Sequence, residues 1–195
     1  MSPRTVLFCL GLAAAGCLAG CASPPKPDPM VFTDQALAAT APGKAIFPLE
    51  STNAADPIAR FKQFNGDFSA ENITNHTKDI YAADVWFRDD FKEIHGEPEF
   101  AAYLLRGSSA TAYYAMEWRD VAESHGDYYF RWVMSVKLKR EGRHKPPTLT
   151  PGISQVRFGA DGKVIFQQDY FDAGSFLYEK IPVLGGEIRS IKKRM

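Results

Sequence analysis

From Tyr128 to Leu138 every second residue is large and apolar: Tyr128, Phe130, Trp132, Met134, Val136 and Leu138. Strict period-two alternation over that length demands an extended strand with one buried face, because successive side chains leave opposite faces. The turn signal His125-Gly126-Asp127 precedes it, and Thr111 to Ser124, rich in Tyr, Met, Trp and Val, reads as its partner strand. A second hairpin is expected downstream. Its first strand carries Ile153, Val156 and Phe158, Ala160-Asp161-Gly162 turns, and Lys163 to Tyr170 returns.

Helices are expected ahead of this meander. Asp56-Pro57 is an N-cap acid with proline at the first helical position, followed by Ile58, Phe61 and Phe64 at helical spacing. Ser69 can cap a second helix through Tyr81, with Ile73, Thr77 and Ile80 on one face. Val85-Trp86-Phe87 reads as a strand, and Pro98 can open a helix bearing Phe100, Ala101, Leu104 and Leu105. After the last strand, Ala173 to Lys180 reads as a short helix that Asp172 can cap. Helices first and an antiparallel meander after is the α+β pattern. The expected architecture is a cone-shaped curved antiparallel sheet with the N-terminal helices packed on its concave side, around a pocket.

The chain's beginning reads as an address. Met1-Ser2-Pro3-Arg4 is followed by an apolar run from Thr5 to Ala19, too short for a span of about 20 residues. Leu18-Ala19-Gly20-Cys21 resembles the bacterial lipobox, in which the cysteine is acylated, for instance with palmitate, and becomes the mature N-terminus. Cys17, after Ala14-Ala15-Gly16, is a weaker candidate for the same role. All three cysteines, Cys9, Cys17 and Cys21, lie in this segment, so a processed and acylated chain offers no thiol nucleophile, thiolate site or disulfide. Ala22 rather than Asp after the cysteine resembles the sorting signal for the outer membrane. That resemblance implies a lipid-anchored envelope protein facing the periplasm.

Residues 21–52 read as a proline-rich tether after the anchor, 53–180 as the folded domain and 181–195 as a basic C-terminal segment. Phe32, Ile46 and Phe47 break the tether's polar character and mark where it can dock. In the tail, Arg189, Lys192, Lys193 and Arg194 with Ile188 and Ile191 read either as a basic helix on anionic lipid or as a solvated end.

Charge narrows the partners. Lys plus Arg total 23 and Asp plus Glu total 23, so the chain lacks the basic excess of a nucleic-acid binder. His76, His95, His125 and His144 share no helical or strand ligand spacing, so no metal is expected, and no cofactor is implied.

Three segments carry a family resemblance: Tyr81 to Asp89, Glu97 to Arg106, and Ile153 to Phe158 with Asp161-Gly162-Lys163-Val164. In that order they resemble the nuclear transport factor 2-like proteins, which include ketosteroid isomerases and SnoaL-like polyketide cyclases. The resemblance implies the cone fold, often dimeric through its sheet. It places the isomerase base on Asp89, beside Phe87 and Trp86. The oxyanion-stabilising acid falls on Ser154, and the matching tyrosine falls near Ala59 to Phe61, where there is none. Tyr81, Phe87, Trp132 and Tyr170 are expected to line the pocket, and Asp169, within Gln167 to Asp172, to be a second acid. Arg131 can pair with Asp169 or Asp89, or face solvent.

With two of three isomerase groups absent, the leading expectation is a tethered domain binding a small apolar ligand. The alternatives are an isomerase, lyase or cyclase using Asp89 as general base with Asp169 and Ser154, and a non-catalytic partner-docking module. A homodimer is compatible with each.

Overall fold

The computed structural model describes residues 28–50, 53, 55–181 and 183–195. The signal segment 1–20, Cys21 and the start of the tether lie outside the described residues. In chain order the elements are α1 (Val31–Thr40), β1 (Lys44–Ala45), α2 (Pro57–Gly66), α3 (Ala70–Ile80), β2 (Tyr81–Arg88), β3 (Glu93–His95), α4 (Glu97–Ala110), β4 (Thr111–Ser124), β5 (Asp127–Leu138), β6 (Thr148–Gly159), β7 (Val164–Phe171), α5 (Ala173–Phe176), a 3₁₀ turn (Tyr178–Lys180) and α6 (Leu184–Arg194).

The strands form one curved, unclosed seven-stranded sheet in the order β3-β2-β7-β6-β5-β4, with β1 extending the edge of β6 beyond β5. The β2–β7 pair is parallel, so the sheet is mixed, not wholly antiparallel as expected. Helix α4 follows β3 in the chain and crosses from that edge of the sheet to β4 at the other, so the meander β4–β7 ends beside β2. That crossover is what makes the pair parallel. Register shifts between Trp118 and Asp120 in β4, and between Arg157 and Phe158 in β6, bend the long strands.

Local chemistry accounts for the elements. Asp56 accepts hydrogen bonds from the Ile58 and Ala59 amides at 2.9 and 3.3 Å, with Pro57 leading α2. Ser69 Oγ accepts from the Asn72 amide at 3.2 Å to start α3. The β4–β5 turn has His125 at φ 53° and Gly126 at φ 82°, the two positive angles of a type I′ hairpin whose twist matches its strands.

Helices α2, α3 and α4 cover the concave face. Phe61 of α2 packs on Phe130 and Phe158 with ring centroids 4.6 and 6.2 Å apart, and Tyr128, Val85, Phe87 and Phe100 complete a buried aromatic and aliphatic cluster. Burying such rings supplies most of the driving force for closing helices onto the sheet.

Part of the expected tether is folded onto the domain. Helix α1 lies on the outer, convex face. Thr33 Oγ1 donates to Gln168 Oε1 at 2.8 Å, and Arg157 donates to Leu37 O at 2.6 Å and Thr40 Oγ1 at 3.0 Å. Phe32 packs edge-on to Trp86, and the Phe47 ring packs against Phe158. The buried side of α1 is Thr33, Ala36 and Thr40, a spacing of three and four with hardly an apolar residue. Its contacts are polar, so hydrophobic periodicity does not reveal them.

Candidate functional site

A cavity of about 260 Å³ opens inside the cone, between the concave face of β4–β7 and helix α4, with Phe176 of α5 at one side. Alternation decides which residues reach it. On β7, Gln167, Asp169 and Phe171 face inward, while Gln168 and Tyr170 face outward. On β6, Ser154 faces inward opposite Asp169, and on β5 Trp132 does so. Ten lining residues are aromatic, joined by Met116, Met134, Leu104, Val136 and Leu138. The polar lining is Asn65, Asp89, Thr111, Ser154, Gln167 and Asp169, with the hydroxyls of Tyr103 and Tyr114.

Asp169 sits at the centre of a hydrogen-bond relay. Ser154 Oγ donates to its Oδ1 at 2.6 Å, and Gln167 Nε2 donates to Oδ1 and Oδ2 at 2.9 and 3.0 Å. Behind Ser154, Trp132 Nε1 donates to Oγ at 2.9 Å. Behind Gln167, Tyr81 Oη donates to Oε1 at 2.8 Å, and Asn65 Nδ2 donates to Tyr81 Oη at 3.2 Å. Every donor in the relay points toward the carboxyl group. Burial still wins: desolvation pushes the Asp169 pKa up to about 7, helped by the nearby charge of Asp89 and opposed by the Ser154 and Gln167 hydrogen bonds. A carboxyl group with that value takes and gives protons at neutral pH.

Asp89 is held differently. It lies just past β2, where its Oδ1 accepts from the Phe91 and Lys92 amides, both at 2.8 Å, and its Oδ2 accepts from Tyr103 Oη at 2.5 Å. Three donors occupy most of its lone-pair capacity and fix its position. Burial and the Asp89 carboxylate both push the Tyr103 pKa up, so Tyr103 stays a donor.

Trp132 reaches Ser154 because of Gly152. A Cβ at position 152 would lie 2.1 Å from the indole ring, so only glycine lets the ring lie across β6.

The structure thus brings Asp89, Ser154, Asp169, Phe87 and Trp132 around one cavity. Tyr81 is not a wall residue; it is 1% exposed and braces Gln167 from behind. Tyr170 needs correcting: it is 44% exposed on the outer face, because neighbours on a strand cannot both face inward and Asp169 does. Arg131 pairs with Asp120 on the outer face, away from both candidate acids. Asp172 caps α5 through the Ser175 amide at 3.0 Å and joins no acid pair in the cavity. Sequence reasoning missed Tyr103 and Gln167. Their signals were position: Tyr103 follows Phe100 by three on α4, and Gln167 precedes Asp169 by two on β7.

No family profile and no curated protein matches the sequence. Solved structures do match in fold. A protein of ketosteroid isomerase-like fold from Catenulispora acidiphila, solved in complex with trimethylamine, aligns at TM-score 0.51 and 14% identity, over 62% of this chain and 88% of that one. A protein from Shewanella putrefaciens assigned as a SnoaL-like polyketide cyclase aligns at TM-score 0.52 and 13% identity, over 73% and 88%. An epoxide hydrolase of M. tuberculosis aligns at TM-score 0.51 and 12% identity, over 70% and 96%.

The fold is the nuclear transport factor 2-like cone. At these identities the likeness is one of architecture. Chemistry on this scaffold must be read from this chain's own residues.

Proposed function

We propose that the cone binds a small, largely apolar molecule and that Asp169 exchanges a proton with it. The protein does so at the cell envelope, tethered through lipid on Cys21. The observation that carries the reading is Asp169, held by Ser154 and Gln167 in the wall of an aromatic-lined cavity, where desolvation pushes its pKa up to about 7. A cavity of about 260 Å³ exceeds the roughly 150 Å³ engineered void that takes benzene, which fits a ligand of one or two rings.

Proton exchange makes isomerase, lyase or cyclase chemistry the natural activity class. In that class Asp169 is the general acid–base. Ser154 and Gln167 orient it, and the pinned Asp89 acts as a fixed charge that keeps the Asp169 proton available. This reverses the expected roles of the two acids: Asp89 is pinned by two backbone amides of its own turn and by Tyr103, while Asp169 is held only by the side chains of Ser154 and Gln167 and is the acid whose pKa desolvation pushes up to about 7.

Mass spectrometry of small molecules retained by the full-length protein tests the pocket. A stoichiometric species that is lost in Met134→Trp, which fills the cavity, supports it. An empty protein that also binds no neutral aromatic probe, such as indole, overturns it. The tether is tested on the same preparation. Acylated Cys21 at the mature N-terminus is expected, and an unmodified Cys21 removes the anchoring reading.

A further inference from the structure

The cavity wall has one sign of charge. Among the described lining residues there are two carboxyl groups, Asp89 and Asp169, and no Lys, Arg or His. Around these acids stand aromatic rings in mutual contact. Phe171 lies 5.7 Å from Phe91, 5.6 Å from Phe176 and 6.3 Å from Trp132, centroid to centroid. Asp169 and Phe171 share the inner face of β7, and Asp89 precedes Phe91 by two residues, so the acids and the ring cluster border the same space. Aromatic faces are negative at their centres and attract cations, most strongly where water is excluded. Anions find no partner in this wall.

We propose that the ligand of this cavity is a small hydrophobic organic cation, an ammonium group carried on one or two rings, seated among Trp132, Phe171, Phe91 and Phe176 with its charge toward Asp169 and Asp89. This rests on the reading of the cone as a ligand pocket and names the ligand's charge. The wall offers Asp169 no cation, and desolvation with the nearby Asp89 charge favours its protonated form. A bound cation takes over that proton's task. The carboxyl O–H bond breaks, the electron pair stays on Asp169, the proton leaves to solvent, and the ammonium charge balances the carboxylate.

The tyrosines around Asp169 do not share its pH range. From β2 it is faced by Tyr81, from α4 by Tyr103 and from β4 by Tyr114, all with pKa values pushed further up by burial. From β6 and β7 come Ser154 and Gln167, which do not titrate there, and from the end of β2 comes Asp89. Arg106 stands over the Tyr103 ring and Lys180 over the Phe176 ring, neither of them a wall residue, and Lys180 is paired with Glu141 at 3.2 Å.

The test compares benzyltrimethylammonium with its neutral carbon isostere neopentylbenzene. Calorimetry is run on the full chain in lipid nanodiscs between pH 5.5 and 8. The cation is expected to bind at least about tenfold tighter than the isostere at pH 8. Its affinity should fall about tenfold per pH unit below pH 7, while the isostere's does not. In Asp169→Asn that pH dependence disappears. A second readout needs no variant: near pH 6.5, calorimetry in two buffers of different ionisation enthalpy should show about three-quarters of a proton released per cation bound, the share of Asp169 that is protonated half a unit below a pKa of about 7. If the isostere binds as tightly as the cation, or cation binding releases no proton, the cation reading is overturned and the apolar pocket stands. If neither compound binds, both readings fall together.

Discussion

The two faces of the β5–β6–β7 sheet treat a buried acid in opposite ways. On the convex face Asp127 meets Arg157 in a two-pronged pair, Nε to Oδ1 at 2.5 Å and Nη2 to Oδ2 at 3.0 Å, under the cover of α1. Arg157 spends its remaining donors on Leu37 O and Thr40, so charge and hydrogen bonds are both satisfied. On the concave face Asp169 has donors but no cation, and the acid that faces it is another carboxylate. The first arrangement stabilises a surface and docks a helix. The second stores an imbalance that a proton or a ligand must settle. The two acids thus differ in their counterion, a structural pair on the balanced face and, on the unbalanced one, the group we propose exchanges a proton.

Breaking the balanced face should cost most. Arg157→Met leaves Asp127 uncompensated and strips α1 of its main tie. A loss of about 3–5 kcal/mol is expected in denaturant unfolding, with amide exchange rising first in residues 31–40. A double variant that also carries Asp127→Asn should recover part of that loss, because the orphaned charge is gone.

Asp169 should behave in the opposite sense. Its pKa rises from near 4 in the unfolded chain to about 7 in the fold, so the folded state holds the extra proton between those values. Stability should therefore decline as pH rises from 4 to 7, by an amount on the order of 4 kcal/mol, and level off above. Asp169→Asn should remove that slope and be the more stable protein at pH 8, while losing proton exchange. A flat wild-type profile would erase the contrast between the faces.

Smaller effects sharpen the picture. Gly152→Ala should cost about 1–3 kcal/mol by pushing the indole off β6, and should free Ser154 from its Trp132 donor. Tyr103→Phe should cost about 1 kcal/mol, since Asp89 keeps its two backbone donors. Arg131→Ala removes only a solvent-exposed partner of Asp120 and should leave the melting temperature unchanged.

Strong local signals were legible in the residues alone. Asp56-Pro57 begins α2, His125-Gly126 makes the hairpin, and the period-two run is β5. The family resemblance pointed to Asp89 and Ser154, and the polar run Gln167 to Asp172 pointed to Asp169; all three line one cavity. Long-range and polar features were not legible. The parallel pairing of β2 with β7 depends on a crossover that no local pattern encodes. Helix α1 holds on by threonines and an arginine 117 residues away, which hydrophobic periodicity does not register. That Asp89 is held by the Phe91 and Lys92 amides while Asp169 is held by side chains is visible only when backbone amides have positions.

The ring that lies across Gly152 has an optical consequence. Of the three tryptophans, Trp132 alone has its indole N–H hydrogen-bonded to the hydroxyl that in turn binds Asp169. Two hydrogen bonds separate the chromophore from the ionising oxygen, at 2.9 and 2.6 Å. The emission of Trp132 is therefore expected to shift with the charge on Asp169, and an emission that stays flat from pH 5.5 to 8 would break that link. The same signal would let the protonation state of the cavity be read without a label.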